Sequence, residues 1–512
     1  MIYASRVYHS CLQRLIRCLG YRYRFIVFER NSSMKNRCAA FFFLSYCALT
    51  GVSLAQEAEH DPGAPKIEVI GKASLVEGQF VNSSYTHLPN GSGNSGYTRE
   101  TMPYRPWINN EYAQIGLKTT LNPHFSAIIS PQIKLWNDSW DWTSMSQNGS
   151  ASNPFIQHTT LSLADAEGIF GFGNKETFAF NAAVGVMPFK YNEDAKNLGE
   201  YLFRTGEHPA YIQTSFDYAY ATLTGVHFNT EFFNNFSLDV LFTQETQIIP
   251  INDWSLSLLV GYKAPKVLDI GAGIMFDRLV PVAGKLDEPV FRGAAQDTFY
   301  TKDGTLDTLR WGGTKLMARI SIDPKGFLPD GLSKIFGKED GKIYAEAAVL
   351  GFKSITAYKK GTDSTGAIIP GRYVEDSLMN FYSDINQRIP IMAGFNIPTF
   401  NLLDYLSIEV EWFGWPYSPS LYNYQNLLYT LPQPIIPKTT SSGTNGVLYT
   451  KDNDWKFSFN MRKTMWGHLS VIGQIARDHT RHDAYYSQFA DPEEAFLHKD
   501  EWGWWLKLQY SL

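Results

Sequence analysis

The chain has 512 residues, of which 44% are hydrophobic, 15% aromatic and 19% charged, a composition too apolar for a disordered protein. Its 45 basic and 50 acidic residues give a net charge of −5, which argues against nucleic acid as a partner. After Ala55 no apolar run reaches the roughly 18 residues that a membrane-spanning helix needs, so no transmembrane helix is predicted.

A secretory signal peptide is predicted at residues 34–55. A positively charged start, an apolar stretch and the small-x-small cleavage site Ser53-Leu54-Ala55 follow one another there. Residues 1–33 are then either a non-native upstream extension, with translation starting at Met34, or an unusually long charged start.

Cleavage after Ala55 would change both the chemistry and the charge of the chain. Every cysteine precedes that site, so the mature chain has no disulfide, no thiol nucleophile and no thiolate metal ligand. Cleavage also removes eight basic residues and one acidic residue, which leaves 37 basic against 49 acidic residues and a net charge of −12. An exported chain without a transmembrane helix is expected in the periplasm, outside the cell or in the outer membrane.

After a short polar leader at residues 56–66, the chain repeats a unit of about ten alternating residues followed by a turn or loop, which is typical of a transmembrane β-barrel. The clearest unit is 455–462, where large apolar and polar residues alternate without interruption. The segments with this pattern are 67–81, 111–121, 125–136, 155–164, 177–189, 213–228, 236–245, 254–263, 267–277, 314–322, 342–353, 386–397, 405–413, 455–462, 468–477 and 501–512. We therefore predict an all-β fold, a transmembrane antiparallel β-barrel of about 16 strands over residues 67–512.

The connections are predicted to be short at one end of the barrel and long at the other. Residues 82–110 are predicted to be a flexible polar loop, and residues 417–454 and 477–501, which are polar or charged, are predicted to be extracellular loops. Residues 329–336 are predicted to form one short amphipathic helix in a periplasmic connector. A soluble all-β sandwich or propeller is the alternative, since alternation also marks half-buried sheets.

The last segment, 501–512, alternates large apolar residues with small or polar ones. It resembles the terminal strand of Gram-negative outer-membrane β-barrels, although those chains usually end in Phe or Trp and this one ends in Leu512. The resemblance implies that the strand closes the barrel, is recognised by the barrel assembly machinery and lies among outer-membrane lipid and lipopolysaccharide. Pairing with 468–477 and with 67–81 is expected, with Lys507 and Gln509 facing the lumen. The residues expected to face lipid are Trp502, Trp504, Leu506, Leu508 and Tyr510.

A second, local resemblance lies at residues 183–191. This segment contains Gly185 and Pro188-Phe189 and is followed by Tyr201-Leu202-Phe203-Arg204, and together they are similar to a strand and the following loop of phosphate-selective-type porins. The resemblance covers under a tenth of the chain and implies a porin-like barrel, in a family whose members are often homotrimers. Phosphate is not carried over as a substrate, because basic residues are not concentrated in this segment.

Eight charged residues share a strand face with small polar residues. In lipid, a charge at such a position would cost about 2–4 kcal/mol near the midplane, so all eight are predicted to line the lumen. They are Lys118, Lys134, Arg319, Arg388, Glu409, Glu411, Lys456 and Arg462. Charged rings in a pore select solutes by field and width, so these residues either form a defined constriction or pair with one another as scattered lumen residues.

Motifs of catalysis and of cofactor binding are missing from the sequence. It contains no His-Glu-x-x-His, no P-loop and no dinucleotide fingerprint, so no cofactor, no metal and no enzymatic activity are predicted. A barrel hydrolase would need a serine, a histidine and an acid close together at the rim. His158, His227 and His468 lie on strand-like segments outside any nucleophile motif, which favours a lumen-lining role for them.

These observations predict a porin-like channel in the outer membrane of a Gram-negative bacterium, for passive diffusion of small hydrophilic solutes. An energised transporter is disfavoured, because the leader before Ile67 has no room for a plug domain. The alternatives are a non-conducting surface barrel for adhesion or envelope structure and, third, the barrel hydrolase.

Overall fold

The structure, a computed structural model, describes the chain in stretches. The upstream residues, the predicted signal peptide and most of the leader lie outside them, as do most residues of the predicted extracellular loops. The described residues are 65–82, 107–138, 156–203, 221–245, 252–264, 267–280, 282, 298–308, 313–352, 356, 358–375, 384–413, 439–440, 443–444, 455–478, 496 and 499–512.

Strands dominate the described residues. In chain order they are β1 Lys66–Asn82, β2 Trp107–Asn122, β3 Phe125–Asp138, β4 Ile156–Asn174, β5 Phe178–Phe189, β6 Ala221–Phe232, β7 Phe236–Gln244, β8 Trp254–Ala264, β9 Leu268–Val280, β10 Thr298–Tyr300, β11 Leu306–Thr308, β12 Gly313–Ile322, β13 Ile343–Leu350, β14 Tyr358–Thr362, β15 Ile368–Glu375, β16 Ile391–Asn396, β17 Tyr405–Trp412, β18 Thr439–Thr440, β19 Gly443–Thr444, β20 Trp455–Met465, β21 Leu469–Arg477 and β22 Trp502–Ser511.

Sixteen of these strands close into one barrel, in the order β1 to β9, β12, β13, β16, β17, β20, β21 and β22. Every neighbouring pair is antiparallel, which confirms the predicted fold class and the strand number. Strands β11, β10, β14 and β15 form a separate four-stranded sheet, and β18 pairs with β19.

The terminal strand closes the barrel as predicted. On one side β22 pairs with β1, from Lys72 opposite Ser511 to Asn82 opposite Trp502, and on the other side it pairs with β21. Closure removes both edges of the sheet, so every barrel strand has a partner on each side.

Each predicted strand segment corresponds to one barrel strand. The bounds differ most at the end of β4, which extends to Asn174 where the prediction ended at 164, and they also differ at the start of 386–397. There the strand is only Ile391–Asn396, because Ile385–Arg388 is a 3-10 helix. The Asp384 carboxylate caps this helix by accepting a hydrogen bond from the Asn386 amide at 2.9 Å. Such local side-chain capping competes with strand pairing, and alternation cannot detect it.

The two ends of the barrel differ in their connections. At one end β2 and β3 are separated only by Pro123 and His124, and most other connections there are comparably short. The exception is 323–342, which contains the 3-10 helix Pro324–Phe327 and the α-helix Asp330–Ser333. The predicted helix over 329–336 was therefore too long. Of the described helices, none is long and apolar enough to cross a membrane.

The barrel wall has an apolar outer face and a more polar inner face. On β22, Leu506 is 45% exposed, whereas its neighbours Trp505 and Lys507 are 3% and 7% exposed. Directly paired residues lie on the same face of a sheet, so this alternation extends from strand to strand around the barrel. The outward positions of β22 are those predicted to face lipid.

The inner face of the barrel is covered on one side by the chain itself. Residues 190–203, called here the inner segment, follow β5 and pack inside the barrel against its wall from β7 to β9 and from β12 to β17, and they also contact Ser458 of β20. Its apolar side chains and those of the wall form one buried cluster, which stabilises this arrangement by removing apolar surface from water. The members are Phe189, Tyr191, Ala195, Leu198, Tyr201, Leu202, Leu241, Leu259, Met275, Met317, Tyr344, Ala348, Leu350, Met392 and Phe413.

Candidate functional site

Three carboxylates of the wall hold the polar side of the inner segment. They are Glu346 on β13 and Glu409 and Glu411 on β17, and each is at most 1% exposed. A buried carboxylate is costly unless it accepts hydrogen bonds, and the inner segment supplies the donors.

Glu346 accepts hydrogen bonds from four groups of the inner segment. The Tyr191 hydroxyl donates at 2.6 Å and the Asn192 side-chain amide at 2.8 Å. The backbone N–H groups of Glu200 and Tyr201 donate at 3.1 and 3.0 Å. Burial and the Glu346 charge raise the pKa of the Tyr191 hydroxyl well above its usual value, so this hydroxyl remains a donor.

Glu409 accepts hydrogen bonds from an earlier turn of the inner segment. The backbone N–H groups of Asn197 and Leu198 each donate to it at 2.8 Å, and the N–H of Lys196 donates to its other oxygen. The Tyr344 hydroxyl adds a further hydrogen bond at 2.9 Å from the wall itself. Successive N–H groups around one carboxylate form an anion-binding concavity, here filled by a side chain of the same chain.

Two glycines make this geometry possible. Gly394 lies between Tyr344 and Glu409 in one row of paired residues, and a Cβ there would meet the Tyr344 ring at 2.2 Å. Gly199 has φ +85° and is followed by Glu200 at φ 62°. This left-handed turn directs the preceding N–H groups to Glu409 and the following ones to Glu346.

The inner segment also reaches the short-turn end of the barrel. Lys342 lies 2.8 Å from Asp194 and 3.0 Å from Glu339, and Lys196 lies 3.3 Å from Glu339. Burial opposes the ionisation of Asp194, but the bonds from Lys342 and from Ser321 outweigh it and hold the pKa of this carboxyl below its usual range. The same balance lowers the pKa of Glu339 and raises that of Lys342.

This cluster predicts a pH dependence with a defined sign. Asp194 and Glu339 have lowered pKa values in the fold, so their stabilising contribution is present above about pH 5 and is lost as the pH falls through the folded values. Lys342 has a raised pKa, so its contribution is present below about pH 10 and is lost as the pH rises through the folded value. We therefore expect the cluster to be intact between about pH 5 and about pH 10.

The measurement is the thermal unfolding midpoint of the wild type and of Lys342→Met at about pH 6 and about pH 3. The wild type should lose more stability on acidification, because the variant already lacks the ammonium group. Lys338→Met, which changes an exposed lysine of the same connection, serves as the control. Equal acid sensitivity in the wild type and Lys342→Met would contradict the assigned role.

The structure places the predicted lumen-lining residues in different surroundings. Glu409 and Glu411 hold the inner segment, and the Glu411 carboxylate accepts from the Tyr201 hydroxyl at 2.8 Å. Lys456 is fully buried, and its ammonium donates to the carbonyl of Phe496. The charged groups of Glu409, Glu411 and Lys456 therefore contact other protein groups and are buried away from the open interior.

The remaining predicted lysines and arginines whose side chains the structure describes have separate surroundings. Lys118 on β2 is half-buried and pairs across the sheet with Glu68, and the side chain of Lys134 on β3 lies outside the described residues. Arg319 forms an ion pair with Asp269 at 2.8 Å.

Arg388 does not lie on a strand, contrary to the prediction. It ends the 3-10 helix that precedes β16 and is fully buried. Arg462 on β20 is half-buried, donates to the Ser470 hydroxyl at 3.3 Å and has its Nε 3.9 Å from Asp404.

The sequence interpretation missed Glu346 and the inner segment. A sequence signal for Glu346 exists, since it is the one acid on the otherwise apolar or aromatic inner face of β13, between Tyr344 and Ala348. The inner segment also carries a signal, because Asn197-Leu198-Gly199 combines turn-forming residues with an apolar one. Neither of these sequence signals predicts which part of the barrel wall the inner segment packs against.

Comparisons with known proteins find only solved structures of low similarity. No family model and no curated protein matches the chain. OmpF of Salmonella typhi in complex with daunomycin matches at a TM-score of 0.41 and 10% identity, over 89% of this chain and 100% of that chain. A triple mutant and a fivefold mutant of the Rh. blastica porin match at TM-scores of 0.36 and 0.37 and identities of 7% and 8%, each over 87% of this chain and 100% of that chain. Values this low carry no argument about function, and the barrel assignment rests on the strand pairing of the chain itself.

Two of the three histidines of the hydrolase hypothesis have hydrogen-bond partners among the described residues. His227 Nε2 lies 2.8 Å from Asp239 Oδ1, and Asn229 donates to the same oxygen. His468 Nδ1 lies 2.9 Å from the carbonyl oxygen of Ser511. The side chain of His158 lies outside the described residues. In the part of the chain that the structure describes, no group of three or more metal-ligating side chains was found.

Proposed function

We propose that the chain is an outer-membrane porin-like channel of a Gram-negative bacterium, through which small hydrophilic solutes diffuse passively. The observation that carries the proposal is the closed barrel of 16 strands with an apolar outer face and a polar inner face. Lipid solvates the outer face and water solvates the inner face. Because the barrel is closed, every strand forms its backbone hydrogen bonds with a neighbour on each side, so no strand edge is left unpaired in lipid.

The inner segment shapes the proposed passage. It fills the side of the interior that is lined by β7 to β17, where its contacts with the wall are buried. Half-buried polar side chains remain on the opposite side, among them Lys72, Tyr112, Gln114 and Lys118. Because Asn197 of the inner segment also donates to Ser458 of β20 at 3.0 Å, the passage is proposed to run between the inner segment and strands β1 to β4.

The decisive experiment is single-channel recording in planar lipid bilayers with the purified, folded protein. Discrete conductance steps are expected, and they should scale with the bulk conductivity of small electrolytes, as for a water-filled pore. If the preparation shows heat-modifiable gel mobility but no conductance steps, the channel proposal is wrong and the non-conducting barrel is favoured.

The membrane environment can be tested at two adjacent isoleucines. Ile129 on β3 points outward and is 54% exposed, whereas Ile128 lies on the inner face, opposite Glu167. Ile129→Lys should destabilise the protein in lipid vesicles by about 2–4 kcal/mol near the midplane, because a charge there enters hydrocarbon. Ile128→Lys, the matched control, should cost much less because its charge meets water and a carboxylate.

Denaturant unfolding in vesicles measures both variants. If Ile128→Lys cost as much as Ile129→Lys, the outer face would not be the lipid face. Lipopolysaccharide contact, homotrimer formation and recognition of residues 501–512 by the assembly machinery belong to the same proposal.

A surface-binding role is a second candidate, and the four-stranded sheet favours it. This sheet is built from connections at the long-loop end and carries Tyr300 and Tyr373 with ring centroids 5.1 Å apart. The ammonium of Lys360 lies 5.3 Å from the Tyr300 ring. Excising 358–375 should abolish adhesion of cells that display the protein, and should leave conductance unchanged if both functions coexist.

A further inference from the structure

Large apolar side chains are exposed on three neighbouring connections at the short-turn end of the barrel. The first connection is 323–342, the second is 397–404 between β16 and β17, and the third is 466–468 between β20 and β21. Each side chain is more than half exposed, and a cluster of exposed apolar residues marks an interaction surface. The six residues, called here the connector patch, are Phe327, Leu332, Ile335, Phe400, Leu402 and Trp466.

Hydrogen bonds join the three connections into one platform. The side-chain amide of Asn401 donates to the carbonyl of Ile335 at 3.3 Å. The ammonium of Lys463, near the end of β20, donates to the carbonyl of Asn401 at 3.0 Å. The Phe400 N–H donates to the Asp340 carboxylate at 2.8 Å. The six apolar side chains are therefore presented together, on one surface.

Two aromatic residues of the patch occupy backbone positions that disfavour them. Phe400 and Asn401 have φ angles of 54° and 68°, and Trp466 and Gly467 have φ angles of 52° and 76°. Tight turns of this left-handed kind prefer Asn or Gly, and a bulky residue there is strained. Because Trp466 is 82% exposed, packing against the described chain does little to stabilise its placement. A local preference broken in this way points to a partner outside the chain.

The charged residues of the connection 323–342 indicate the chemistry of that partner. Among the acids whose side chains the structure describes, Asp323 caps the 3-10 helix, Asp340 is buried, and Glu339 is half-buried in ion pairs. Lys334 and Lys338, by contrast, are exposed. The connection therefore presents lysines and apolar side chains outward, which fits anionic headgroups over hydrocarbon.

The connector patch borders the outer face of the barrel. The connection leaves β12 after Ile322 and returns at Ile343, and these two residues pair with each other. Ile343 also pairs with Phe395 of β16, and both side chains are exposed on the outer face. The patch therefore continues the apolar surface that lipid covers in a membrane barrel. Trp466 is also of the residue type that membrane–water interfaces favour.

We propose that the connector patch inserts into the phospholipid headgroup layer at the periplasmic surface of the outer membrane. Its apolar side chains reach the acyl boundary, and Lys334 and Lys338 meet the phosphate groups. The other side of the same connection holds the inner segment, through the ion pair of Glu339 with Lys196. The inference rests on the proposed function, because it requires a barrel that spans the membrane.

The test places one fluorescent label on the folded protein in phospholipid vesicles. All four cysteines precede residue 56, so a cysteine introduced into the predicted mature chain is its only thiol. The patch labels are attached at Leu332→Cys and Leu402→Cys, and an outer-wall reference label at Ile320→Cys. The control label is attached at Glu176→Cys, an exposed position in the short turn between β4 and β5. The quenchers are nitroxide-labelled phospholipid and aqueous iodide, with iodide on both sides of the membrane.

Iodide is expected to quench the two patch labels at least about threefold less than the control label, because headgroups and acyl chains shield them. Nitroxide lipid should quench the patch labels as it quenches the outer-wall label. The shielding should increase when the vesicles contain anionic phosphatidylglycerol. Changing Lys334→Gln and Lys338→Gln together should remove that increase.

The outcomes separate the connector patch from the channel. Patch labels that iodide quenches as strongly as the control label would overturn the proposal. Shielding from iodide without quenching by lipid would also overturn it, and would mean that a second copy of the chain covers the patch. An outer-wall label that lipid does not quench would overturn the membrane-spanning barrel and the proposal with it. A non-conducting barrel whose patch labels are quenched by lipid would refute the channel and keep the patch.

Discussion

Glu409→Ala is expected to lower the free energy of unfolding by about 3–6 kcal/mol and to release the inner segment from the wall. The substitution removes the acceptor of three backbone N–H groups, at Lys196, Asn197 and Leu198, and of the Tyr344 hydroxyl. These donors are buried, and an unsatisfied buried donor costs about 1–3 kcal/mol. Denaturant unfolding measures the loss, and single-channel recordings should show a noisier open level.

Glu193→Ala is the matched control for Glu409→Ala. Glu193 is an exposed acid of the inner segment, so its removal changes the charge of the segment without touching an anchoring bond. It should leave the unfolding free energy within about 0.5 kcal/mol of the wild-type value. The anchoring role of Glu409 is refuted if the two variants have similar stability.

The barrel could be predicted from the sequence because its signal is local. Apolar and polar residues alternate within each strand, and the structure keeps that alternation: Phe457 and Phe459 lie outward and Ser458 and Asn460 inward on β20. The closing pair β22 and β1 followed from the same argument, since an unpaired edge is unfavourable in lipid.

The inner segment could not be located in this way, because its position depends on contacts distant in the chain. Leu198 and Glu409 are separated by 211 positions, and no periodicity in either segment indicates that the two meet. Glu409 and Glu411 were identified as inner-face charges, yet alternation alone could not distinguish a charge that faces water from one that anchors backbone. At Arg388 a strand was predicted, but the Asp384 side chain caps a 3-10 helix there, and alternation carries no information about such a cap.

The inner segment therefore decides which wall charges reach the passage. While it is in place, Glu346, Glu409 and Glu411 accept its hydrogen bonds and are buried away from the open interior. Removing the segment should therefore widen the passage and make its field more negative.

Replacing residues 192–201 by a linker of about four Gly and Ser residues is expected to raise the single-channel conductance about twofold or more and to shift selectivity toward cations. The linker can span the gap, because the Tyr191 hydroxyl already lies 3.1 Å from the Leu202 amide. The conductance should rise because the side of the lumen along β7 to β17 opens to water.

The cation shift has a separate cause, which a second variant isolates. Excision exposes the carboxylates of Glu346, Glu409 and Glu411 to the water of the passage, where their negative charge attracts cations. The same excision with all three changed to Gln should keep the higher conductance and lose the shift, as measured by the zero-current potential in a salt gradient. Unchanged conductance after excision would mean that the inner segment does not narrow the path that ions take.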